Sequence, residues 1–341
     1  MSTMTDVAKA AGVSRFTVSK VFQNDPSVKA AIRARVHAAA EKLHYTPNPY
    51  AVSLVRGKTA GIGMVVSQIV DPFYGEIIET ADREARRNGQ QLLIQCSYGD
   101  PALEEKIVRH FLSIRVLGII LAPCVTPENA DFLAGVSTAI PLVYIDRIIR
   151  AASHYVVNDH FGSARMVTAH LLARKRVPAY LGSSQSKLNR AIADRERGYV
   201  ETVRAAGKEP LLIPAAAATV QRDNEQFGFE NVIAWLKAHP APTSLFCATD
   251  AIALGAMRAL EQQGAIPGKT IHVAGHDDLS FSAYTHPPLT TVRQPKPELA
   301  AASIDAIMRL SQRKSPGRTP FIRIKLKSTL IVRESTGGEG Q

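Results

Sequence analysis

Cysteine is scarce in this chain of 341 residues. Cys96, Cys124 and Cys247 are odd in number, far apart, and each follows or ends an apolar run. They read as small core residues, which excludes a disulfide-stapled scaffold and leaves no cysteine metal or redox motif. Long apolar runs are missing too: no stretch of about 18 residues could span a bilayer. The start, MSTMTDVAKAAG, lacks a basic segment followed by an apolar one, so the expectation is a chain without a secretory signal that stays in the cytoplasm. Catalytic signatures are absent as well. RGKT at 56–59 resembles the end of a phosphate loop, but Val52 stands where the first glycine is needed. GIG at 61–63 lacks the third glycine of a dinucleotide fingerprint, because that place is Val66. HDD at 276–278 has no second His/Asp cluster at ligand spacing, and no Gly-x-Ser-x-Gly elbow occurs. The expectation is a protein that is not an enzyme and carries no metal or cofactor.

What the chain does have is positive charge, unevenly placed. The formal net charge is +11. Residues 1–60 hold nine Lys/Arg against three Asp/Glu, so more than half of the surplus sits in the first sixth of the chain. A basic end of this kind favours a polyanionic partner, and nucleic acid is the obvious one.

The same end has a helix pattern with little freedom. In TMTDVAKAAGVSRFTVSKVFQN (3–24), Thr3 and Asp6 form a Ser/Thr-x-x-acid start for a first helix that Gly12 ends. Val13 and Ser14 restart the chain as staple and N-cap of a second helix running through Phe22. Val18, Val21 and Phe22 face inward, while Arg15, Phe16, Ser19 and Lys20 share the outer face. This is a helix-turn-helix pattern, in which the start of the second helix meets base edges. An ordinary helical hairpin with a solvated basic face fits the same residues. Residues 29–44 place Ile32, Val36, Ala39, Ala40 and Leu43 on one face and supply a third helix. Pro47 and Pro49 then break the preceding helix, and 47–59 reads as a linker with a short helix that starts at Pro49 and is capped by Asn48. Tyr50, Val52, Leu54 and Val55 have no nearby core, so this helix needs a partner. Either DNA with a second copy of the segment is that partner, Leu54 wedging into the minor groove, or the segment is a tether packed on the next domain.

From Gly61 onward, apolar runs alternate with amphipathic helices. Buried parallel strands are predicted at 61–66, 91–96, 116–122 and 140–146, with helices at 74–88, 101–115 and 126–135 between them. A second set follows, with strands at 178–183, 244–249 and 271–277 and helices near 189–206, 224–239 and 250–264. Two doubly wound lobes are the economical solution, with ligands expected in the cleft at the carboxyl ends of their strands. The low-complexity end, 334–341, reads as a disordered tail.

The ordered set TMTDVAKAAGVSRFTVSKV, YTPNPYAVSL, GIGMVV, DPFY, GIILAP, ALGAMRAL, GHDD and PPLTTVRQP resembles the lactose-repressor (LacI/GalR) family of bacterial transcription regulators from about residue 3 to 333. The resemblance implies an α/β protein with a helix-turn-helix head (1–46), a hinge helix and linker (47–59) and a two-lobed, periplasmic-binding-protein-like core of parallel sheets (60–333) that senses a small molecule and forms a homodimer. On operator DNA it implies base reading by Arg15, Phe16 and Lys20, with Thr5, Ser14, Thr17, Ser19, Asn48, Tyr50 and Ala51 as further contacts and Leu54 as the hinge wedge. Lys20 replaces the usual Arg and lacks its planar fork, and Lys29 stands where a small cap is common, with Ser27 as substitute. Effector contacts map onto Asp71, Phe73, Arg147, Arg195, Asp223, Thr249 and Asp277, a set suited to a sugar or sugar derivative. Thr249 replaces an Asn and Asp223 stands near a common aromatic position, which implies a ligand more polar or smaller than a typical disaccharide. The chain after Arg333 offers no leucine heptads, so a dimer is expected and not a tetramer. A solute-binding sensor without DNA regulation is the alternative; the basic head and missing signal favour the regulator.

Overall fold

In the computed structural model, residues 2–22, 25–46, 61–183, 189–214, 224–312 and 320–338 are described. The linker 47–59, and with it Asn48, Tyr50, Ala51 and Leu54, lies outside them, as does Asp223.

The head is three helices, α1 (Met4–Ala11), α2 (Arg15–Phe22) and α3 (Ala30–Lys42). The capping box at the start is complete: the Asp6 N–H donates to Thr3 Oγ1 at 3.3 Å and the Thr3 N–H to Asp6 Oδ2 at 2.8 Å. Gly12 closes α1 with φ +64°, a left-handed conformation that suits a residue without a Cβ. Val7, Val18, Val21 and Val36 are fully buried and form the centre of a small core with Ala8, Ala11, Ala39 and Ala40. Each such valine contributes about 1.5–3 kcal/mol, a large share for so small a unit. One expectation changes here. Ser27 does not cap α3: its hydroxyl accepts from Lys20 Nζ at 3.2 Å, and Lys29, at the cap position, makes no side-chain cap bond.

The first lobe opens with β1 (Gly61–Val66), α4 (Pro72–Arg87), β2 (Gln91–Cys96), α5 (Pro101–Ser113), β3 (Ile119–Leu121), α6 (Ala130–Ala139), β4 (Leu142–Ile145) and β5 (His154–Asn158). The chain then enters the second lobe through α7 (His160–Ala173), β6 (Ala179–Leu181), α8 (Arg190–Ala205), β7 (Leu211–Ile213), α9 (Asn224–Leu236), β8 (Ser244–Cys247), α10 (Asp250–Gln262), β9 (His272–Ala274) and β10 (Thr291–Arg293). It returns to the first lobe for α11 (Lys296–Ser311) and β11 (Arg323–Leu326), and crosses back for β12 (Thr329–Ile331). The first sheet has the order β11-β5-β4-β3-β1-β2 with every pair parallel. The second has the parallel order β7-β6-β8-β9, and β10 pairs with β12 antiparallel. Gly63 shows why β1 carries small residues: a Cβ there would come within 2.6 Å of the Phe111 ring on α5.

The low-complexity end is a second correction. Glu334–Thr336 forms a 3-10 turn, and Ser335 and Thr336 are fully buried. Ser335 Oγ donates to the Val273 carbonyl at 2.6 Å and accepts the Thr290 N–H at 2.7 Å. These small polar side chains satisfy backbone groups between β9 and β10 that would otherwise be buried without partners, so the segment through 338 belongs to the second lobe.

Candidate functional site

Two places carry the side chains picked out by sequence. In the head, the start of α2 is fixed by Ser14, whose Oγ accepts the Thr17 N–H at 3.1 Å and lies 2.9 Å from Thr17 Oγ1. Beyond that turn Arg15 is exposed and Phe16 is 68% exposed, a large apolar ring held in solvent. Lys20 Nζ sits 5.2 Å from the Phe16 ring centroid and 3.5 Å from Asp25 Oδ2. A half-exposed pair of that kind is worth about 0–1 kcal/mol, so Lys20 can leave Asp25 for another acceptor at little cost. Thr5, Thr17 and Ser19 are half-buried.

In the core, Asp71, Phe73, Arg147, Arg195, Thr249 and Asp277 come together on the wall of a cleft of about 790 Å³, with the first three from one lobe and the others from its neighbour. The volume lies within the about 300–1,000 Å³ of small-molecule clefts. Helix starts position these groups. Asp71 is the N-cap of α4 and accepts the Phe73 N–H at 2.9 Å. Thr249 caps α10 by accepting the Ile252 N–H at 3.1 Å. The α9 and α10 starts reach the cleft together because those helices touch at glycines: a Cβ on Gly255 would lie 1.8 Å from the Glu225 carbonyl oxygen. Asp146 at φ +63° and Asp277 at φ +134° adopt backbone that L-residues rarely take, at the ends of β4 and beyond β9. Strain of this kind is commonly stored at ligand sites.

The charges are paired within the wall. Arg147 Nη2 and Nε donate to Asp146 Oδ2 at 2.7 and 3.0 Å, and Tyr74 OH donates to the same oxygen at 2.9 Å. Burial pushes Asp146 up, but the Arg147 guanidinium, together with His160 and the Tyr74 hydroxyl, more than offsets it and holds the carboxyl below its usual range. Arg195, 3% exposed, donates from Nη1 to the Ala248 carbonyl at 2.6 Å. Its Nε and Nη2 face His160 Nδ1 at 3.3 Å, and Nη2 lies 3.5 Å from Asp277 Oδ1. Burial, then the charge of Arg195, pulls His160 down to about 3, so its ring is neutral and Nδ1 accepts. Burial pushes Asp71 up to about 6, with the Asp277 and Asp146 charges adding to the shift. Asp277 and Asp250 are also raised, chiefly by burial.

Behind the wall, Ser163 Oγ lies 2.8 Å from His276 Nε2, and His276 Nδ1 lies 3.2 Å from Asp277 Oδ1. The order Ser-His-Asp is that of a nucleophilic relay, but Ser163 is 2% exposed and its Oγ donates to the His160 carbonyl, so no substrate can reach it. The group instead ties Asp277 to the lobe crossings. Gln294 donates to Asp277 Oδ1 and accepts from Asn158, and Lys296 Nζ donates to the Asp277 and Asp278 carbonyls at 3.1 and 3.2 Å while pairing with Glu76 on α4 at 2.8 Å. The sequence reading missed Tyr74, Asp146, His160 and Gln294. Asp146 directly precedes Arg147 at a strand end, a signal that could have found it; the others are joined to the site only by the fold.

Comparison with known proteins places these features in context. Residues 3–48 match the family described as bacterial regulatory proteins, lacI family, and 168–336 match the periplasmic binding protein-like domain. The HTH-type transcriptional repressor PurR of Haemophilus influenzae (strain PittEE) is 31% identical over 343 residues, covering 98% of each chain. The ribose operon repressor of Escherichia coli (strain K12) is 31% identical over 312 residues, covering 90% of this chain and 92% of its own. The crystal structure of the lac repressor dimer bound to operator and the anti-inducer ONPF superposes with a TM-score of 0.86 at 26% identity, covering 98% of this chain and 99% of that one.

Proposed function

Because the chain belongs to the lacI family of bacterial regulatory proteins, a family of transcriptional repressors with a DNA-binding head and a ligand-binding core, we propose that it represses transcription as a homodimer on a pseudo-palindromic operator. Operator affinity is set by a small molecule, a sugar or sugar derivative, held between the lobes. Residues 1–46 form the DNA-binding head, 47–59 the hinge, and the chain from 60 onward the effector-binding and pairing unit. Arg15, Phe16 and Lys20 read bases, Thr5, Ser14, Thr17, Ser19, Asn48, Tyr50 and Ala51 contact the operator around them, and Leu54 wedges into the minor groove. Asp71, Phe73, Arg147, Arg195, Thr249 and Asp277 line the effector site, and Asp223 belongs to the same set.

The observation carrying this reading is the convergence of charged groups from both lobes on one cleft. A ligand that touches both lobes favours one lobe arrangement over another, and in a two-fold dimer that alters how the two heads meet half-sites about one helical turn apart. The hydroxyl-bracketing chemistry of Asp and Arg beside the buried Phe73 ring supports a polyhydroxylated ligand. Footprinting of the DNA upstream of the chain's own and neighbouring genes tests the operator half of the reading. Symmetric protection of two half-sites is expected; protection of one half-site by a stable monomer would overturn it.

A further inference from the structure

We propose that the cleft rejects anions: its effector is an uncharged or cationic polar molecule, and the phosphate ester or carboxylic acid of the same skeleton is excluded. This deepens the effector reading above and rests on it. The described lining carries four carboxylates, Asp71, Asp146, Glu225 and Asp277, against two guanidiniums, Arg147 and Arg195, and no lysine. Both guanidiniums are largely engaged by the protein itself, and Arg147 Nη1 alone among the nitrogens of Arg147 makes no hydrogen bond to the described residues. Arg147 is held on Asp146 and Tyr74, and Arg195 on the Ala248 carbonyl, His160 and Asp277.

Helix starts are the other usual source of anion binding, and α4, α8, α9 and α10 all begin at this cleft. Three of the four are already capped by the chain itself. Asp71 accepts the Phe73 N–H, Asn189 accepts the Ala191 and Ile192 N–H groups at 3.1 and 3.5 Å, and Thr249 accepts the Ile252 N–H. At these three starts the amides that would cradle a phosphate are therefore largely spent, and one of the caps is itself a carboxylate. Asp71 makes no salt bridge among the described residues, the Arg147 charge acting on it only weakly, and its Oδ1 accepts the Phe73 N–H. Burial is the main cause that raises this carboxyl, and the neighbouring Asp277 and Asp146 charges add to it, beside the excess of carboxylates over guanidiniums in the described lining. A hydroxyl or ammonium donor relieves that excess, and an incoming anion adds to it.

The test is binding of matched ligand sets to the full chain by calorimetry and thermal shift: ribose and ribose 5-phosphate; glucose, glucosamine and gluconate; adenosine and its monophosphate. An uncharged or amino member binds, and its anionic counterpart binds on the order of 100-fold more weakly. Asp71→Asn keeps an N-cap oxygen and removes the charge, so it narrows that ratio by about tenfold. An anionic member that binds as tightly as its neutral counterpart overturns the selectivity and leaves the effector reading standing. Binding by none of the compounds overturns the effector reading and the selectivity with it.

Discussion

Removing the Arg195 guanidinium while keeping its apolar stem, as in Arg195→Met, tests whether the cleft wall is held by the charges assigned to it. The wild-type side chain is 3% exposed, and its loss takes donors from the Ala248 carbonyl, from His160 Nδ1 and from Asp277 Oδ1. Asp277 is left buried beside Asp250 and Asp71, with hydrogen bonds from His276 and Gln294 and the Lys296 charge as what remains to hold it. Removing one member of a buried ion pair costs about 3–5 kcal/mol. Asp277 can limit that cost by taking up a proton, since burial already raises its carboxyl well above the usual carboxylate range. The sign follows from linkage. In the variant the folded-state pKa of Asp277 rises further above its unfolded value, so the destabilisation is full above that pKa and fades as pH falls through it. His160 and His276, no longer depressed by the Arg195 charge, move the same way. Thermal unfolding of both proteins should therefore show a deficit of about 3 kcal/mol at pH 7.5, read as several degrees in Tm, and a smaller one at pH 5.5. Equal melting temperatures at pH 7.5, or a deficit that is the same at both pH values, would refute the assignment of Arg195 as the counter-charge of Asp277.

The other predictions concern the two ends of the switch. Arg15→Ala should weaken operator binding by about 1–3 kcal/mol if Arg15 pairs with a guanine, with relaxed specificity at one base position of each half-site; anisotropy against single-base variants of the operator measures this. Leu54→Ala should reduce operator affinity and DNA bending while effector affinity in calorimetry stays near normal, and an unchanged bend would make the segment a tether. Lys296→Met removes the donor to the Asp277 and Asp278 carbonyls and the Glu76 partner, which should cost about 2–4 kcal/mol in thermal unfolding. It should also shrink the effector-induced change in operator affinity more than it shrinks effector affinity, since Lys296 stands at a lobe crossing.

Much of the fold was legible because the central strands of its parallel sheets are buried on both sides. GIGMVV is apolar throughout and SLFC is apolar but for Ser244, and both lie fully buried in their sheets; strands exist at 61–66 and 91–96 as expected, and those expected at 116–122, 140–146, 178–183 and 244–249 exist with trimmed ends. The last of the second set, expected at 271–277, shortens to His272–Ala274, with Asp277 beyond it at φ +134° where the chain reaches the cleft. Elements without such runs were missed. β11, RIKL, alternates exposed and half-buried residues at the sheet edge, and β7 and β10 span three residues each. β5 and α7, which carry the first lobe crossing, begin with His154 and His160, polar residues whose partners, the Ile322 N–H and Arg195, come from other elements. The cleft was legible where a residue sits beside a strand end or helix start, as for Asp71, Arg147 and Thr249. It was not legible where position depends on tertiary contact: Gln294 reaches Asp277 only because β10 runs next to the turn after β9, through the Asp277–Arg293 bridge. The tail was misread because small polar residues signal disorder by composition, yet Ser335 and Thr336 fit a buried seam that only they can satisfy.

The most direct test of the account is operator affinity of the full chain, measured by fluorescence anisotropy with and without a small molecule that calorimetry shows to bind, in the wild type and in Asp277→Ala. The account predicts that the molecule changes wild-type operator affinity by about 5-fold or more and that the variant, losing the effector, loses the change. A molecule that binds the wild-type cleft while leaving operator affinity unaltered would contradict it.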